Sequence, residues 1–334
     1  MRLGIILAAS LLVIAVGGAA CGGGGEEALG GKIKVVTSVS PITSIVENIA
    51  CDRADVVGVI PEGEDSHTYE PPVSVAQQLA KADLIILNGL FLEESLLGMA
   101  KANKRAGTPI VLLGDEAVTP EEYKFDFSFP KEGGKPNPHL WPSIRLAMKY
   151  AQLVKDALIK VDPEGAPTYE ANYQALIARL EALDRATQQA VSTVPPPYRK
   201  LLTYHDSWAY WAEDYGFQVI GAVQPSDFKE PSAREVAELV AQIKREGVPA
   251  IFGSEVFPSN VMEQLARETG ARYITDLRDD DLPGEPGELW HSYIGMMLEN
   301  VKAIVSALGG DPAPLRQVDP SLVCPGGRSL TRYY

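Results

Sequence analysis

IKVVTSVSPITSIVENIACDRADVVGVI, residues 33–60, reads as strand, helix and strand in succession. Ile33 to Thr37 is a short apolar run rich in β-branched residues, and Ala54 to Ile60 is another. Between them Pro41 to Ala50 is helical, with Ser40 as a good N-cap and proline at the first helical position. Short continuous apolar strands separated by helices are the pattern of a parallel sheet covered on both faces.

The alternation continues outward from that segment. A helix is expected through Val75 to Lys81, a strand at Leu84 to Asn88, a helix at Leu92 to Lys104 and a strand at Pro109 to Leu113. Thr119 to Pro138 is polar, with five prolines or glycines from Pro130 onward, and reads as a mobile loop. A helix from Ser143 to about Ile159 precedes a longer one from Tyr169 to Val194, whose Tyr173, Leu176, Leu180, Leu183 and Thr187 share one stripe. Pro195, Pro196 and Pro197 stop it. Then come strands at Lys200 to Tyr204, Phe217 to Val223, Pro249 to Gly253 and Ala271 to Thr275. They alternate with helices at Trp208 to Tyr215, Ser232 to Glu246 and Ser259 to Thr269, and Leu289 to Leu308 is the final helix. The fold class is α/β: two lobes, each with a four-stranded parallel sheet flanked by helices, joined by one long backbone helix. The expected boundaries are an N-terminal lobe at 32–167, a linking helix at 168–197, a C-terminal lobe at 198–310 and a tail at 311–334.

The chain of 334 residues suits two domains, and its net charge of −14 makes nucleic acid or an anionic membrane surface a poor partner and a cation a better one. Arg2, the apolar run Leu3 to Val16 and the small residues Gly17 to Ala20 form a signal peptide at 1–20, too short for a comfortable membrane span. Cys21 after Ala19 and Ala20 resembles the bacterial lipobox cysteine that is lipidated and becomes the mature N-terminus, although Gly18 stands where leucine is usual. The glycines and glutamates that follow make 21–31 a flexible, lipid-anchored tether. An exported protein permits a disulfide between the remaining cysteines, Cys51 and Cys324, which would pin the tail to the first lobe. Two unpaired thiols are the alternative.

Of only four histidines, His67, His139 and His205 each stand beyond an expected strand, and Asp276 stands beyond another, at spacings of 72, 66 and 71 residues. Taken singly, each has an ordinary explanation: His67 as a solvated loop residue, His139 as a turn support, His205 near a helix start, Asp276 as a helix cap. Together they place three imidazoles and a carboxylate at the carboxyl ends of parallel strands, where ligands bind in such sheets. That donor set suits zinc and related divalent ions.

Gly63-Glu64-Asp65-Ser66-His67-Thr68-Tyr69-Glu70-Pro71 resembles the G-x-D-x-H-x-Y-x-P segment of the zinc/manganese solute-binding proteins of ABC importers, the ZnuA/TroA type. Asn137-Pro138-His139-Leu140-Trp141 is similar to that family's D-P-H-x-W, and His205 through Tyr215-Gly216 to its H-x-x-x-x-Y/W-x-x-x-Y-G. Ile274-Thr275-Asp276, with Tyr293 through Met297 and Asn300, resembles its closing region. The resemblance spans Ile33 to Leu308 and implies metal held between the lobes by His67, His139, His205 and Asp276. Histidine at the third position resembles the zinc-associated pattern, and glutamate there the manganese-associated one. Two departures stand out: Glu121 to Pro138 has no histidine-rich loop, and His291 replaces a customary aspartate and is read as a helix-face residue.

Other residues rank lower. Asp279, Asp280 and Asp281 read as a solvated acidic loop, Glu255 as a helix cap, an outer partner of the site or an extra ligand, and Trp141, Trp208 and Trp211 as packing around it. A zinc hydrolase would need an open coordination position and a base, yet there is no H-E-x-x-H and Glu255 is the only candidate base. Surface adhesion is a secondary use the fold would support. The expected protein is therefore not an enzyme. It is an extracytoplasmic, lipid-anchored monomer that captures Zn2+, or alternatively Mn2+ or iron, and delivers it to an ABC permease, with only small lobe shifts allowed by the rigid linking helix.

Overall fold

The computed structural model describes Met1 and residues 32–333, apart from 226–227, 257–258, 276 and 330–331. The expected signal segment beyond Met1, the expected tether with Cys21, and Asp276 lie outside the described residues. From Lys32 the chain runs β1 (Ile33–Thr37), α1 (Ser40–Ala50), β2 (Ala54–Gly58), α2 (Val73–Lys81), β3 (Leu84–Leu87), α3 (Glu94–Asn103), β4 (Ile110–Leu112), α4 (Leu113–Ala117), α5 (Ile144–Val161) and α6 (Ala166–Ser192). It continues with β5 (Lys200–Thr203), α7 (Ala209–Tyr215), β6 (Gln218–Ala222), α8 (Ala233–Glu246), β7 (Ala250–Phe252), α9 (Asn260–Thr269), β8 (Arg272–Ile274), α10 (Tyr293–Ala307) and β9 (Arg332–Tyr333).

Two parallel sheets result, ordered β4-β3-β1-β2-β9 and β6-β5-β7-β8. Leu84–Leu87 is buried along its whole length, which is why its sequence lacks the alternation of a half-exposed strand. The two-residue β9 is an addition to the four strands expected in the first lobe. It joins the edge of β2, where a side chain on Gly58 would collide with the Tyr333 ring.

Helix α1 is buried on every side, with Ile42, Ile45, Val46 and Ile49 fully enclosed against β2, α5, α6 and α10. Burying each such side chain contributes about 1.5–3 kcal/mol. Ser40 is its first helical residue rather than its cap, which is Val39. Helix α8 starts at Ala233, one residue after the expected Ser232, which caps it: its hydroxyl accepts from the Glu235 N–H in a capping box, and Val236, Leu239, Val240 and Ile243 turn inward. The linking helix α6 has 27 residues, roughly 40 Å at 1.5 Å per residue. It buries the expected Leu176, Leu180, Leu183 and Thr187 and packs on α1 and α5 from one lobe and α10 from the other.

Three local expectations change. The expected strand end at Leu113 is instead the start of α4, a single helical turn too short to show a period. The loop ending at Pro138 is tied down: Ser128 N–H donates to Asp206 at 2.8 Å, Ser128 Oγ to the Gln224 carbonyl at 2.6 Å, and Lys124 N–H to Tyr210 Oη at 3.2 Å. The last helix begins at Tyr293, not Leu289, because Ser292 caps it by accepting from the Gly295 N–H. The preceding segment, 277–292, is irregular and carries the acidic run.

Cys51 and Cys324 are joined by a disulfide, 273 residues apart. The tail is also held by Val323 N–H donating to Asn48 Oδ1 and by the Arg179–Asp319 ion pair. Among the described residues, no helix is long and apolar enough to cross a membrane.

Candidate metal centre

His67 lies in the loop after β2, and its own neighbours shape that loop. Asp65 accepts from the His67 N–H at 2.9 Å and from the Thr68 hydroxyl at 2.9 Å, an Asx-type turn that aims the imidazole. His139 ends the tied-down segment between α4 and α5. Asn137 Oδ1 accepts both the His139 N–H, at 3.0 Å, and its ring Nδ1–H, at 2.8 Å. The Asn137 amide is oriented by donating to Asp126 Oδ2 at 3.0 Å and to the Asp206 carbonyl at 2.7 Å. His205 stands two residues past the end of β5, and its Nδ1 lies 2.7 Å from Asp279 Oδ2. Of the three, only His205 stands within two residues of a strand end.

These holds turn the three Nε2 atoms toward one point. His67 and His139 Nε2 are 3.1 Å apart, His205 and His67 Nε2 3.3 Å, and one ring nitrogen from each residue lies within 4.8 Å of the others. Three nitrogens bound tetrahedrally to zinc at about 2.0–2.1 Å would be about 3.3 Å apart. With Nδ1–H engaged on Asn137, His139 presents an Nε2 lone pair, the tautomer a metal requires, and His205, its Nδ1 beside Asp279, presents one once its Nε2 proton is displaced.

The electrostatics differ between the lobes. Burial first, and then the charge of the neighbouring histidines, pushes His67 and His139 well below the ordinary imidazole pKa. Burial acts on His205 in the same direction, but Asp279 and then Asp280 and Asp65 overcome it and raise the group to about 10. Behind His139, burial and the adjacent Asp206 carboxylate push Asp126 up to about 9. A group so raised keeps its proton at neutral pH.

Several expectations are revised here. Asp279, Asp280 and Asp281 are buried, not solvated, with 1%, 3% and 9% exposure. Glu255 is no helix cap: its Oε1 accepts the backbone N–H groups of Asp279, Asp280 and Asp281 at 2.9, 3.1 and 3.1 Å. His291 precedes α10 and is buried, its Nε2 3.8 Å from Glu62, away from the three-histidine group. Trp141 packs on the His139 ring at 5.2 Å, whereas Trp208 and Trp211 pack on each other. The sequence reading missed Phe129 and Phe228. Phe228 stacks on His67 at 4.5 Å with a left-handed φ of 55°, and Phe129 lies 5.6 Å from the same ring. A cleft of 470 Å³ reaches His67 past both rings, with Phe91 and Lys135 at its rim.

Residues 35–307 match the family model described as zinc-uptake complex component A, periplasmic (ZnuA). The manganese-binding lipoprotein MntA of Halalkalibacterium halodurans is 30% identical, covering 84% of this chain and 89% of that protein. The iron-binding protein YfeA of Yersinia pestis is also 30% identical, covering 83% and 87%. The zinc-binding protein TroA of Treponema pallidum is 30% identical, covering 85% and 91%, and its solved structure superposes with a TM-score of 0.75 at 29% identity over 83% of this chain and 99% of that one. With the two-lobed fold and its converging histidines, the match makes this chain a member of the ZnuA family, a metal-binding substrate-binding protein of an ABC importer and not an enzyme.

Proposed function

We propose that the cargo is zinc, held by His67, His139, His205 and Asp276, and delivered to a membrane permease by a carrier anchored outside the cytoplasmic membrane through lipidated Cys21. The observation that carries the zinc reading is the group of three imidazole nitrogens at separations suited to a tetrahedral ion. In sequence Asp276 follows two residues after Ile274, the end of β8, and His205 follows two residues after Thr203, the end of β5. His67 and His139 come from the other lobe, so separating the lobes divides the ligand set. Release then needs only a small displacement imposed by the permease.

Manganese is the second reading, favoured by relatives named for that metal, with iron named for YfeA. Soft-to-borderline imidazole favours zinc, whereas manganese prefers carboxylate and carbonyl oxygen. Metal-free mature protein titrated with zinc and manganese in competition, followed by elemental analysis, decides between them. Zinc retained over equimolar manganese is the expected result, and retention of manganese would overturn the zinc reading. His205→Glu should shift the retained ratio toward manganese without abolishing binding.

A further inference from the structure

We infer that Glu255 is a positioning residue for metal capture, acting through the turn Asp279-Asp280-Asp281, and that this turn sets the mutual placement of all three histidines. The inference rests on His205 being a ligand, as proposed above, and adds the residue that controls its geometry.

One carboxylate oxygen of Glu255 gathers three consecutive backbone N–H groups, at 2.9, 3.1 and 3.1 Å. The turn so fixed touches each histidine segment. Asp279 places its side chain 2.7 Å from His205 Nδ1, and its carbonyl accepts from Trp141 Nε1 at 2.6 Å, two residues beyond His139. Asp280 accepts from the Ser66 N–H at 3.4 Å, beside His67. Asp281 takes the Gly63 N–H on both oxygens, at 3.0 and 2.9 Å, at the start of the same loop, and Glu62 answers by accepting the Leu282 N–H at 3.0 Å.

Four acidic side chains packed this closely, the three aspartates buried, repel one another, so the donors each one finds decide whether the arrangement holds. Glu255 finds its donors within its own lobe. Asp280 and Asp281 find theirs on the opposite lobe, and Asp279 on a histidine of the centre. These contacts form only when the lobes are docked and His205 is in place, which links lobe docking to the geometry of the site. Without the Glu255 acceptor, three N–H groups lose their common partner and the turn loses its fixed shape.

The test compares Glu255→Ala, Glu255→Gln and Glu255→Asp in the full mature chain. The readouts are zinc affinity by chelator competition and amide hydrogen exchange of the metal-free protein. Gln keeps an oxygen at the same reach, whereas Asp keeps the charge and withdraws the oxygen by one methylene. Ala and Asp should weaken zinc binding by about 10- to 100-fold, the range for outer partners of a metal ligand. Both should speed exchange at Gly63 and Ser66, which Glu255 does not touch, and Gln should stay close to the parent in both readouts. Equal losses for Gln and Ala, or unchanged exchange at Gly63 and Ser66, would overturn the inference, and if Ala does not fold the Gln and Asp pair still decides. Unchanged zinc affinity in His205→Ala would instead sink the ligand reading, while exchange in the metal-free variants reports on Glu255 independently.

Discussion

His67 is placed by its neighbours in sequence, whereas Asp279 is placed by residues far along the chain. Asp65 orders the first through bonds to residues two and three positions on, a local turn that forms wherever the segment is solvated. The acidic turn depends on Glu255, 24 to 26 residues earlier, and on Gly63 and Ser66, more than 200 residues earlier and in the other lobe. The His67 turn takes its local shape from its own residues and is seated against the other histidines by the acidic turn, whereas the acidic turn is shaped by Glu255 and completes its contacts only when the lobes meet. On the proposed reading, capture and release would be controlled from the second lobe, because its part of the centre depends on contacts between the lobes.

The largest effect that tests this division comes from the ligands themselves. His67→Ala and His205→Ala should each lower zinc affinity by more than about 100-fold, beyond the range of an outer partner. Chelator competition measures it. If only one lobe's histidine mattered, the lobes would not share an ion and the contrast between them would lose its functional meaning.

Acidity should separate the lobes next. A proton on Nε2 or a metal occupies it, not both, so protonation competes with capture. His205, raised to about 10, binds a proton in the metal-free protein across the neutral range, so zinc must displace it. Affinity should therefore fall as pH falls, by about tenfold per unit for one displaced proton, so roughly 100-fold from pH 8 to 6. His67 and His139, pushed low by burial, add to the loss only in more acid solution. Zinc titrations at pH 6, 7 and 8 check this, and a flat profile would mean that His205 is neutral before metal arrives.

What the sequence disclosed follows the same boundary between local and distant causes. Strands such as Leu84–Leu87 and the stripe on α6 are legible because periodicity and burial are properties of contiguous residues. His67, His139 and His205 are legible because imidazole is scarce in this chain and specific in its chemistry. Asp279 looked like a solvated residue since nothing nearby in sequence reveals that a buried imidazole will face it. Phe129 and Phe228 could pass for any core aromatics until their rings were placed against His67. Leu289 and Trp290 suggested a helix start by their apolarity, yet they remain 44% and 46% exposed ahead of the Ser292 cap.

The smallest expected effect is the most direct test of the contrast. Asp65→Ala removes two local hydrogen bonds at the His67 turn, and Asp281→Ala removes the carboxylate that bridges to Gly63. Each should cost about 1–3 kcal/mol of stability in the metal-free protein, since a hydrogen bond to a charged group is worth about 1.5–3 kcal/mol and a partly exposed one less. The two should differ in reach. Amide exchange in Asp65→Ala should rise at His67 and its immediate neighbours and stay unchanged at residues 279–281. In Asp281→Ala it should rise on both sides of the lobe boundary, at Gly63 and at Leu282, because the Glu62 bond to Leu282 loses the contact that aligns it. If both variants loosened the same residues, the His67 turn would depend on docking as much as the acidic turn does, and its local shape would not come from Asp65 alone.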